Sequence, residues 1–364
     1  MRILLLGEYS NVHATLADGL RLLGHHVTVA SNGDFWKNYP RDIDLKRRPG
    51  KLGGLALMAK VYANLARWRN YDVVQLINPL FVELKAEHIF PIYNYLRRNN
   101  GKMILEALGM DWYWVHECTY NKPMRYSDFN IGERIRTDET ALQEQHDWLG
   151  TTKERLNQYI ANDCDEIIAG LYDDYVCYKP YFPQKLHFIP LPIQMPTSIT
   201  SDFNTPTRVK VFIGISKGRS TYKGTDIMLR AAQDIQKKYP SLMELVKVEG
   251  VPFAEYQKLM EGSDAILDQL YSYTPSMNPL LAMSKGIICI GGGEPENYEI
   301  IHEHELRPII NVQPTYESVY HELEQLVLHP ERIPLLKQQS IEYVRRHHDH
   351  IKVAQQYEAI YKRS

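Results

Sequence analysis

The sequence predicts an α/β protein of two domains, each built on a parallel sheet, and three observations predict this class. The chain has 364 residues, enough for two compact units that each bury a core. An apolar strand, a helical stretch and a second strand follow one another within residues 1–30, as in a βαβ unit. The same alternation starts again after a segment rich in Pro, Ser and Thr at residues 195–207.

The first half alternates short apolar runs with helical stretches. Residues 1–7 form the first predicted strand, Leu16, Leu20 and Leu23 mark one face of the helix after it, and residues 27–30 form the second strand. One helix is expected over residues 142–161. Later strands of the same sheet are expected at residues 72–79, 102–109, 165–171 and 186–193.

The second half repeats this pattern. A helix beginning at Thr225 places Met228, Ala231 and Ile235 on one face. Short apolar strands surround it, and helices are expected over residues 315–362. The predicted strands are 209–215, 243–248, 264–270, 286–292 and 308–312.

These elements set the expected domain limits. The prediction is an N-terminal domain at 1–193, a linker at 194–207, a C-terminal domain at 208–345, and a final helix at 346–364 that packs back toward the N-terminal domain.

Composition excludes several classes of protein. With 44% hydrophobic and 24% charged residues and a net charge of -2, the chain is expected to be globular and not to bind nucleic acid. The four cysteines form no CxxC pair, and no His, Cys, Asp or Glu cluster has metal-ligand spacing, so neither a metal nor a cofactor is expected. The N-terminus lacks signal-peptide features and no apolar run reaches 18 residues, which predicts a cytoplasmic protein.

The strongest candidate for a phosphate site is the turn at residues 214–226, which leaves a predicted strand and enters a helix. It holds Gly214, Lys217, Arg219 and Lys223. Cationic side chains neutralise a diphosphate, a glycine lets the backbone approach it, and the helix start adds partial positive charge. The alternative is a solvated turn whose cations serve solubility.

A second candidate loop, residues 291–298, directly follows another predicted strand. Gly292 and Gly293 permit close approach of the backbone to a ligand. Glu294 and Glu296 can accept hydrogen bonds from sugar hydroxyls and steady positive charge at an anomeric carbon. The alternative is a flexible turn with exposed acids.

Between these loops the sequence resembles a known family. LAMSKGIICI, residues 281–290, resembles the EAMA-x-G-x-P-V-V segment of retaining GT-B glycosyltransferases, especially family 4, and RSTYKGTD, residues 219–226, resembles their G-R-x-x-x-x-K-G segment. The order of the strands agrees over nearly the whole chain. The resemblance implies two Rossmann-like, doubly wound domains facing a central cleft, with the donor on the second domain and the acceptor on the first.

Residue by residue, the resemblance makes Arg219 and Lys223 the contacts of the donor phosphates. One feature departs from the family, which has two glutamates separated by seven residues. The matching positions are Tyr273 and Leu281, and neither can act as a carboxylate.

The contacts that the family glutamates make with the donor sugar and the ribose must therefore come from other groups. The local candidates include the backbone at the start of the following helix and the acids of the second loop. They are Tyr273, Ser276, Met277, Asn278, Glu294 and Glu296.

The first half has its own candidates. No G-x-G-x-x-G follows the first strand, which argues against a dehydrogenase, but Gly7 and His13 lie in the loop and helix start where substrate contacts are expected. His13 can act on an acceptor, or it can be a structural histidine.

LGMD, residues 108–111, resembles the family's H-G-x-D segment and makes Asp111 a binding residue. Trp112, Tyr113 and Trp114 form either a sugar platform or core packing.

Residues 41–70 are strongly basic. They hold eight basic residues against two acids, a local net charge of +6, beside Met58, Val61, Tyr62 and other apolar residues at helical spacing. This pattern is compatible with docking on anionic lipid or on a charged acceptor. The alternative is an ordinary helix packed on the sheet.

The predicted function is a glycosyltransferase of hexosyl type, retaining by resemblance, that moves a sugar from a UDP- or GDP-sugar to a glycan or lipid-linked acceptor. Surface polysaccharide synthesis and peripheral contact with the inner face of the membrane through residues 41–70 fit such a protein. One alternative is a catalytically degenerate GT-B protein that binds nucleotide-sugar or glycan. Another is a nucleotide-sugar 2-epimerase.

Overall fold

The computed structural model describes residues 1–198, 203–216 and 218–363, and the chain forms two compact units. The first unit comprises Met1–Asn121, Gln143–Pro192 and His350–Ser364. The second comprises Lys122–Leu142 and Ile193–Asp349. The division therefore differs from the sequence-based limits at Lys122–Leu142, which the prediction counted in the N-terminal domain. The expected linker at 194–207 falls partly outside the described residues.

The first unit contains a seven-stranded sheet with the order β3-β2-β1-β4-β5-β8-β9, and every neighbouring pair is parallel. The order changes direction between β1 and β4, which makes this position the topological switch point. Numbered along the whole chain, its strands are β1 (Arg2–Leu6), β2 (His26–Ser31), β3 (Ile43–Asp44), β4 (Val73–Leu76), β5 (Lys102–Ala107), β8 (Glu166–Ala169) and β9 (Leu186–Phe188).

Helices cover this sheet. Alternate strand residues such as Ile3 and Leu5 pack against Leu20 of the first helix and Val353 of the last, so the end of the chain is part of this core. The helices are α1 (Val12–Leu22), α2 (Gly50–Leu65), α3 (Ala86–Asn99), α4 (Trp112–His116), α5 (Glu139–Trp148), α6 (Thr152–Asp163), α7 (Tyr172–Tyr178) and α15 (His350–Tyr361), with α5 crossing the division between the units.

The prediction of a single helix over residues 142–161 is wrong. The chain forms α5 and α6 there, separated at Gly150. Gly150 has a φ of +70°, a conformation that ends a helix and that favours glycine. Its N–H donates to the Glu154 carboxylate at 2.6 Å, which ties the break to the first turn of α6.

The second unit contains a five-stranded parallel sheet with the order β11-β10-β12-β13-β14, so its switch point lies between β10 and β12. Val211 and Ile213 pack into one core cluster and Phe212 into another, as expected when helices cover both faces. The two predicted doubly wound parallel sheets are confirmed. The strands are β10 (Val209–Ile215), β11 (Met243–Glu249), β12 (Ala265–Leu267), β13 (Ile288–Gly291) and β14 (Ile310–Asn311).

The helices of the second unit connect these strands or follow them. In the described part of the chain, no helix has both the length and the apolar character needed to cross a membrane. The helices of the second unit are α8 (Ser220–Lys223), α9 (Thr225–Lys238), α10 (Phe253–Met260), α11 (Met277–Ser284), α12 (Pro295–Ile300), α13 (Tyr316–Leu328) and α14 (Ile333–His347).

The stretch Lys122–Leu142, here called the inserted segment, leaves the first unit and packs on the second. It carries a small antiparallel hairpin of β6 (Asn130–Ile131) and β7 (Arg134–Ile135). The Asn130 amide holds the turn together by donating to the Met124 and Gly132 carbonyls at 3.1 and 3.0 Å. The segment is therefore an ordered part of the second unit.

Candidate functional site

The candidate site lies at the carboxyl ends of β10, β12 and β13 in the second unit. The Leu270 N–H, after β12, donates to the Lys223 carbonyl, after β10, at 2.9 Å. A Cβ built on Gly291 would lie 3.5 Å from the Cβ of Asp268, so the turns after β12 and β13 also adjoin. Three turns therefore meet at the switch point, where open α/β sheets bind their ligands.

The turn at residues 214–226, here called the cationic turn, occupies this switch point. Arg219 immediately precedes α8, its guanidinium lies 5.2 Å from the centre of the Tyr222 ring, and Lys223 ends α8. Gly224 has a φ of +71° and sits so close to Leu270 that a Cβ would approach its side chain to 2.6 Å. This glycine makes the sharp turn into α9 possible. Lys217 lies outside the described residues.

Two acids flank these cations. Burial raises the pKa of Asp268 to about 6, against the opposing charge of Lys223. Asp128, from the inserted segment, accepts a hydrogen bond from the Tyr222 hydroxyl at 2.8 Å. Burial raises its pKa to about 6 as well, while the Tyr222 bond and the charges of nearby cations oppose the shift. The turn is therefore a mixed-charge site.

Arg136 of the inserted segment adds a third cation. Its guanidinium donates to the Thr221 carbonyl of α8 at 3.0 Å, pairs with Asp138 at 3.0 Å and lies 3.7 Å from the centre of the Tyr271 ring. Its charge is among those that lower the pKa of Asp128. Arg136 therefore ties the inserted segment to the cationic turn.

Glu294 and Glu296, predicted to face a sugar, hold the inserted segment. Glu294 is 3% exposed and accepts from the Tyr126 hydroxyl at 2.6 Å, the Gln313 amide at 2.7 Å and the Arg125 guanidinium at 2.8 Å. Burial raises the pKa of Glu294, but these hydrogen bonds and the charge of Arg125 outweigh it and hold the pKa below its ordinary value. Glu296 pairs with Arg125 at 2.5 Å.

Tyr273, which the sequence resemblance aligns with a glutamate, also contacts the inserted segment. Its hydroxyl accepts from the Arg125 N–H at 2.7 Å, and the Arg125 guanidinium lies 4.8 Å from the centre of its ring. The Tyr126 ring packs beside it at 4.8 Å. Leu281, at the position of the second glutamate, lies within α11. The inserted segment therefore docks on Tyr273, where the sequence resemblance led us to look for a glutamate.

The glycines and the asparagine predicted at the site mostly contact other groups of the protein. A Cβ on Gly214 would meet the Tyr256 ring at 2.6 Å, and the hydroxyl of that tyrosine accepts from the Asn278 amide at 3.0 Å. A Cβ on Gly292 would lie 2.0 Å from the Ser272 carbonyl oxygen, and one on Gly293 would lie 2.7 Å from Ile309. Close packing within the protein therefore explains these three glycines.

The start of α11 lies at the same edge. Ser276 is its N-cap residue and makes no capping hydrogen bond through its side chain, and Met277 is its first residue and is buried. The first N–H groups of a helix have no partner within the helix. This helix start therefore remains a predicted contact for an anion.

In the first unit, the predicted residues Gly7 and His13 form part of a buried network. The His13 Nδ1 bonds the Gly7 carbonyl at 2.8 Å, and its Nε2 lies 3.2 Å from the Gln75 amide. Burial lowers the pKa of His13 to about 3, so the ring is neutral. With both nitrogens engaged and no exposed surface, His13 has the environment of a structural histidine, the alternative considered from the sequence.

Asp111 also has local partners. Its carboxylate accepts from the Trp114 N–H at 2.9 Å, which caps α4, and from the Tyr178 hydroxyl. Burial raises its pKa to about 6. Trp112, Tyr113 and Trp114 are at most 7% exposed, and Tyr113 packs on Tyr178 at 4.3 Å. These aromatics serve core packing, which was the second alternative.

A cavity of about 50 Å³ lies at the carboxyl ends of β1, β2 and β4 in the first unit. Glu8, Tyr9 and Phe35 line it together with Gly7. The Glu8 carboxylate accepts the N–H groups of His13 and Ala14 at 3.3 and 2.8 Å, and burial raises its pKa to about 8. Most of the other residues that line the cavity are apolar, and nothing among these described residues indicates a ligand.

The basic region, residues 41–70, includes α2 (Gly50–Leu65), whose two faces differ. Val61 and Leu65 face the core, so the apolar spacing marks packing on this side, as the alternative proposed. On the other side, Leu52 and Leu55 are 82% and 57% exposed. Tyr62, 46% exposed, continues this outer face. An exposed apolar face therefore belongs to the same helix as two of the basic residues, Lys51 and Lys60.

Four residues of the site were not identified from the sequence. All belong to the inserted segment, and its charged and aromatic run MRYSD, residues 124–128, was the available signal. Spacing alone could not place this run on the second sheet, since about 90 residues separate Asp128 from Arg219. The four are Arg125, Tyr126, Asp128 and Arg136.

No protein-family model matches the chain, and no curated protein matches it. Among the described residues, no group of three or more His, Cys, Asp or Glu side chains is placed to hold a metal ion.

Solved structures do resemble this chain. Sucrose-phosphate synthase from Thermosynechococcus elongatus superposes with a TM-score of 0.61 at 12% identity, covering 100% of this chain and 98% of that one. HepE of Anabaena, in complex with UDP and glucose, gives 0.59 at 14%, covering 99% and 98%. A protein described as a UDP-N-acetylglucosamine 2-epimerase from Listeria monocytogenes gives 0.54 at 11%, covering 98% and 94%. Together with the two parallel sheets, these similarities show that the chain has the GT-B fold.

Proposed function

We propose that this protein is a glycosyltransferase that takes its sugar from a nucleotide-sugar. The donor binds the second unit at the turns after β10, β12 and β13, and the acceptor binds the first unit. The observation that carries the proposal is the placement of Arg219 and Lys223 at the switch point of the second sheet. A diphosphate bound at this position would be stabilised by the two cations and by the turns that meet there.

The chemistry assigned to these residues is electrostatic. When the bond between the anomeric carbon and the diphosphate oxygen breaks, negative charge grows on the departing diphosphate. Arg219 and Lys223 stabilise that charge, since both flank the same short helix at the carboxyl end of β10. A Lys and Arg site of this kind can act without a metal, so we propose transfer that needs neither a metal nor a cofactor.

UDP-sugar is the preferred donor in this proposal, ahead of GDP-sugar. HepE, which has the same fold, is described with UDP and with UDP-glucose bound. Transfer of a hexose with retention follows from the family resemblance. The proposed acceptor is a glycan or a lipid-linked sugar of surface polysaccharide synthesis.

We also propose peripheral contact with anionic membrane through residues 41–70. The exposed strip of Leu52, Leu55 and Tyr62 supplies apolar contact, and the local net charge of +6 supplies attraction to acidic headgroups. This surface belongs to the unit proposed to bind the acceptor. A lipid-linked acceptor would then be reached without a spanning helix.

Isothermal titration with UDP and GDP tests the donor site. We expect the Arg219→Ala, Lys223→Ala double variant to bind UDP at least tenfold more weakly than wild type, in buffer with EDTA. The matched control is Arg208→Ala, Lys210→Ala, which removes two cations at the other end of β10. Unchanged UDP affinity in the Arg219, Lys223 variant contradicts the assignment.

A donor screen separates enzyme from binding protein. A transferase releases UDP slowly from one UDP-sugar even without acceptor, because water can replace the acceptor hydroxyl. Binding of a UDP-sugar with no release under any condition supports the degenerate binding protein. Conversion of the sugar to its 2-epimer supports an epimerase.

A further inference from the structure

The inserted segment brings a carboxylate to the proposed phosphate site. Asp128 accepts from Tyr222, the residue of α8 that lies between Arg219 and Lys223 in sequence. Asp128 is only partly buried, so it is in contact with the solvent from which a ligand arrives. An acid at this position opposes the cations that a diphosphate needs.

The position of Asp128 is held on both sides. On its N-terminal side, Arg125 and Tyr126 bond Glu294 at 2.8 and 2.6 Å. On its C-terminal side, Arg136 bonds the Thr221 carbonyl at 3.0 Å. Because buried or ion-paired contacts anchor both flanks, the carboxylate is a fixed feature of the site.

We propose that Asp128 sets the charge specificity of the donor site: it makes the cationic turn favour a nucleotide-sugar over the more highly charged free nucleoside diphosphate. This inference rests on the proposed function and adds a residue from the other half of the sequence to the donor site. Its chemical consequence is weaker retention of the leaving nucleotide after transfer.

The physical basis is the difference in charge between the two ligands. In UDP-glucose the diphosphate is esterified at both ends and carries about two negative charges. In UDP the terminal phosphate can take one more, because phosphate monoesters have a second pKa of about 6. That extra charge falls on the phosphate next to the bond that breaks. Repulsion from Asp128 therefore acts more strongly on UDP than on UDP-glucose.

The charges facing Asp128 come from two elements. Arg219 and Lys223 belong to the turn and α8, and Arg136 belongs to the inserted segment. Tyr222 of α8 faces Asp128 as a neutral hydrogen-bond donor. Arg136 is also paired with Asp138 at 3.0 Å. A second acid, Asp268, lies near Lys223 from the turn after β12, and its pKa is raised in the same range. Any pH effect must therefore be assigned between Asp128 and Asp268.

The test is titration of UDP and UDP-glucose into wild type and Asp128→Asn at pH 7.5. Asparagine keeps an acceptor for the Tyr222 hydroxyl and removes the charge. We expect Asp128→Asn to bind UDP about tenfold more tightly and UDP-glucose about threefold more tightly. The control is Glu133→Gln, the same charge change in the same segment at a side chain that is 95% exposed and pairs with Lys122. It should change neither affinity.

A second measurement keeps the proposal testable if Asp128→Asn does not fold. UDP-glucose is titrated into Asp268→Asn at pH 7.5 and 5.5. Protonation of Asp128 removes repulsion, so we expect tighter binding at pH 5.5. Affinity that does not change with pH in Asp268→Asn overturns the inference.

The outcomes distinguish this inference from the proposed function. If wild type binds UDP, the Arg219, Lys223 double variant loses it, and Asp128→Asn binds both ligands as wild type does, the inference fails alone. Equal tightening of both ligands also overturns it, because the discrimination is then absent. If no variant and no wild-type protein binds either ligand, both fail.

Discussion

At the scale of single residues, this protein buries ionisable groups in both units, and the partners of each group affect its pKa. In the first unit, Glu106 accepts from Gln75 at 2.6 Å and from Tyr357 at 2.9 Å, and burial raises its pKa to about 8. In the second unit, Glu294 accepts three hydrogen bonds and its pKa is lowered. The contrast arises because side-chain hydrogen bonds, with a smaller contribution from the charge of Arg125, outweigh burial at Glu294, whereas the two hydrogen bonds at Glu106 do not. Burial alone favours the neutral carboxyl, whereas a paired cation favours the carboxylate.

His13 leads to a prediction about pH. Its pKa is about 3 in the folded protein and 6.5 is the ordinary value, so below pH 6.5 the unfolded chain takes up a proton that the folded protein does not. Stability from the neutral ring is thus complete above pH 6.5 and declines as the pH falls toward 3. His13→Asn should be less stable than wild type by about 1–3 kcal/mol at pH 7.5. That gap should narrow by about 2 kcal/mol at pH 5.

Urea unfolding of wild type and His13→Asn at pH 7.5 and pH 5 measures this difference in the free energy of unfolding. The control is His26→Asn, a change at an exposed position of the same unit, which should leave the pH dependence of wild type intact. A gap of equal size at pH 7.5 and pH 5 would show that His13 is not held neutral.

At the scale of elements, the closing helix α15 belongs to the first unit and completes its core. Tyr357 and Tyr361 of α15 donate hydrogen bonds to Glu106 and Gln75, and Val353 and Ala354 pack with Leu20 of α1. The two helices approach closely because α1 has a glycine at the crossing. A Cβ on Gly19 would lie 2.4 Å from the His350 carbonyl oxygen.

This contact predicts that Gly19→Ala destabilises the first unit although alanine is the better helix former. The backbone carbonyl it would meet cannot move as a side chain can, so we expect a loss of about 1–3 kcal/mol. Gly54→Ala in α2 is the matched control. A Cβ there meets only the flexible Arg47 side chain, at 3.4 Å, so a gain of about 0.5–1 kcal/mol is expected. Thermal unfolding measures both, and equal effects of the two substitutions would contradict the crossing argument.

At the scale of the whole molecule, charge is unevenly distributed. The chain has a net charge of -2, yet residues 41–70 carry +6, so the remainder is acidic. The basic stretch coincides with exposed apolar side chains of α2, whose inner face is already used by the core. The proposed membrane contact would use this side of the first unit, because its positive charge is complementary to an anionic surface.

Vesicle sedimentation tests that surface. We expect binding to vesicles of phosphatidylglycerol mixed with phosphatidylcholine, weakening as salt rises, and little binding to phosphatidylcholine alone. Leu52→Ala with Leu55→Ala should reduce binding several-fold, because two exposed leucines are lost. The control is Leu335→Ala, which removes a leucine that is 58% exposed in the second unit. Equal binding to both kinds of vesicle would rule the surface out.

The sequence by itself determined the class of fold and pointed to the positively charged turn of the candidate site. Buried parallel strands are continuous apolar runs, and an amphipathic helix repeats every three or four residues, so both are visible locally. The turn with Arg219 and Lys223 was visible for the same reason, because a strand, a short cationic turn and a helix follow one another directly. The end of a helix at Gly150 was missed, although a glycine with positive φ is a local feature of helix ends.

Only the tertiary structure decided what surrounds that turn. Arg125, Asp128 and Arg136 reach the second sheet from a segment far away in sequence, and no local periodicity encodes such a contact. The same holds for Glu294, which spacing suggested for a sugar and which folding brings to Arg125 and Tyr126. Contacts between distant segments follow from how surfaces fit together, so a reading based on neighbouring residues cannot supply them.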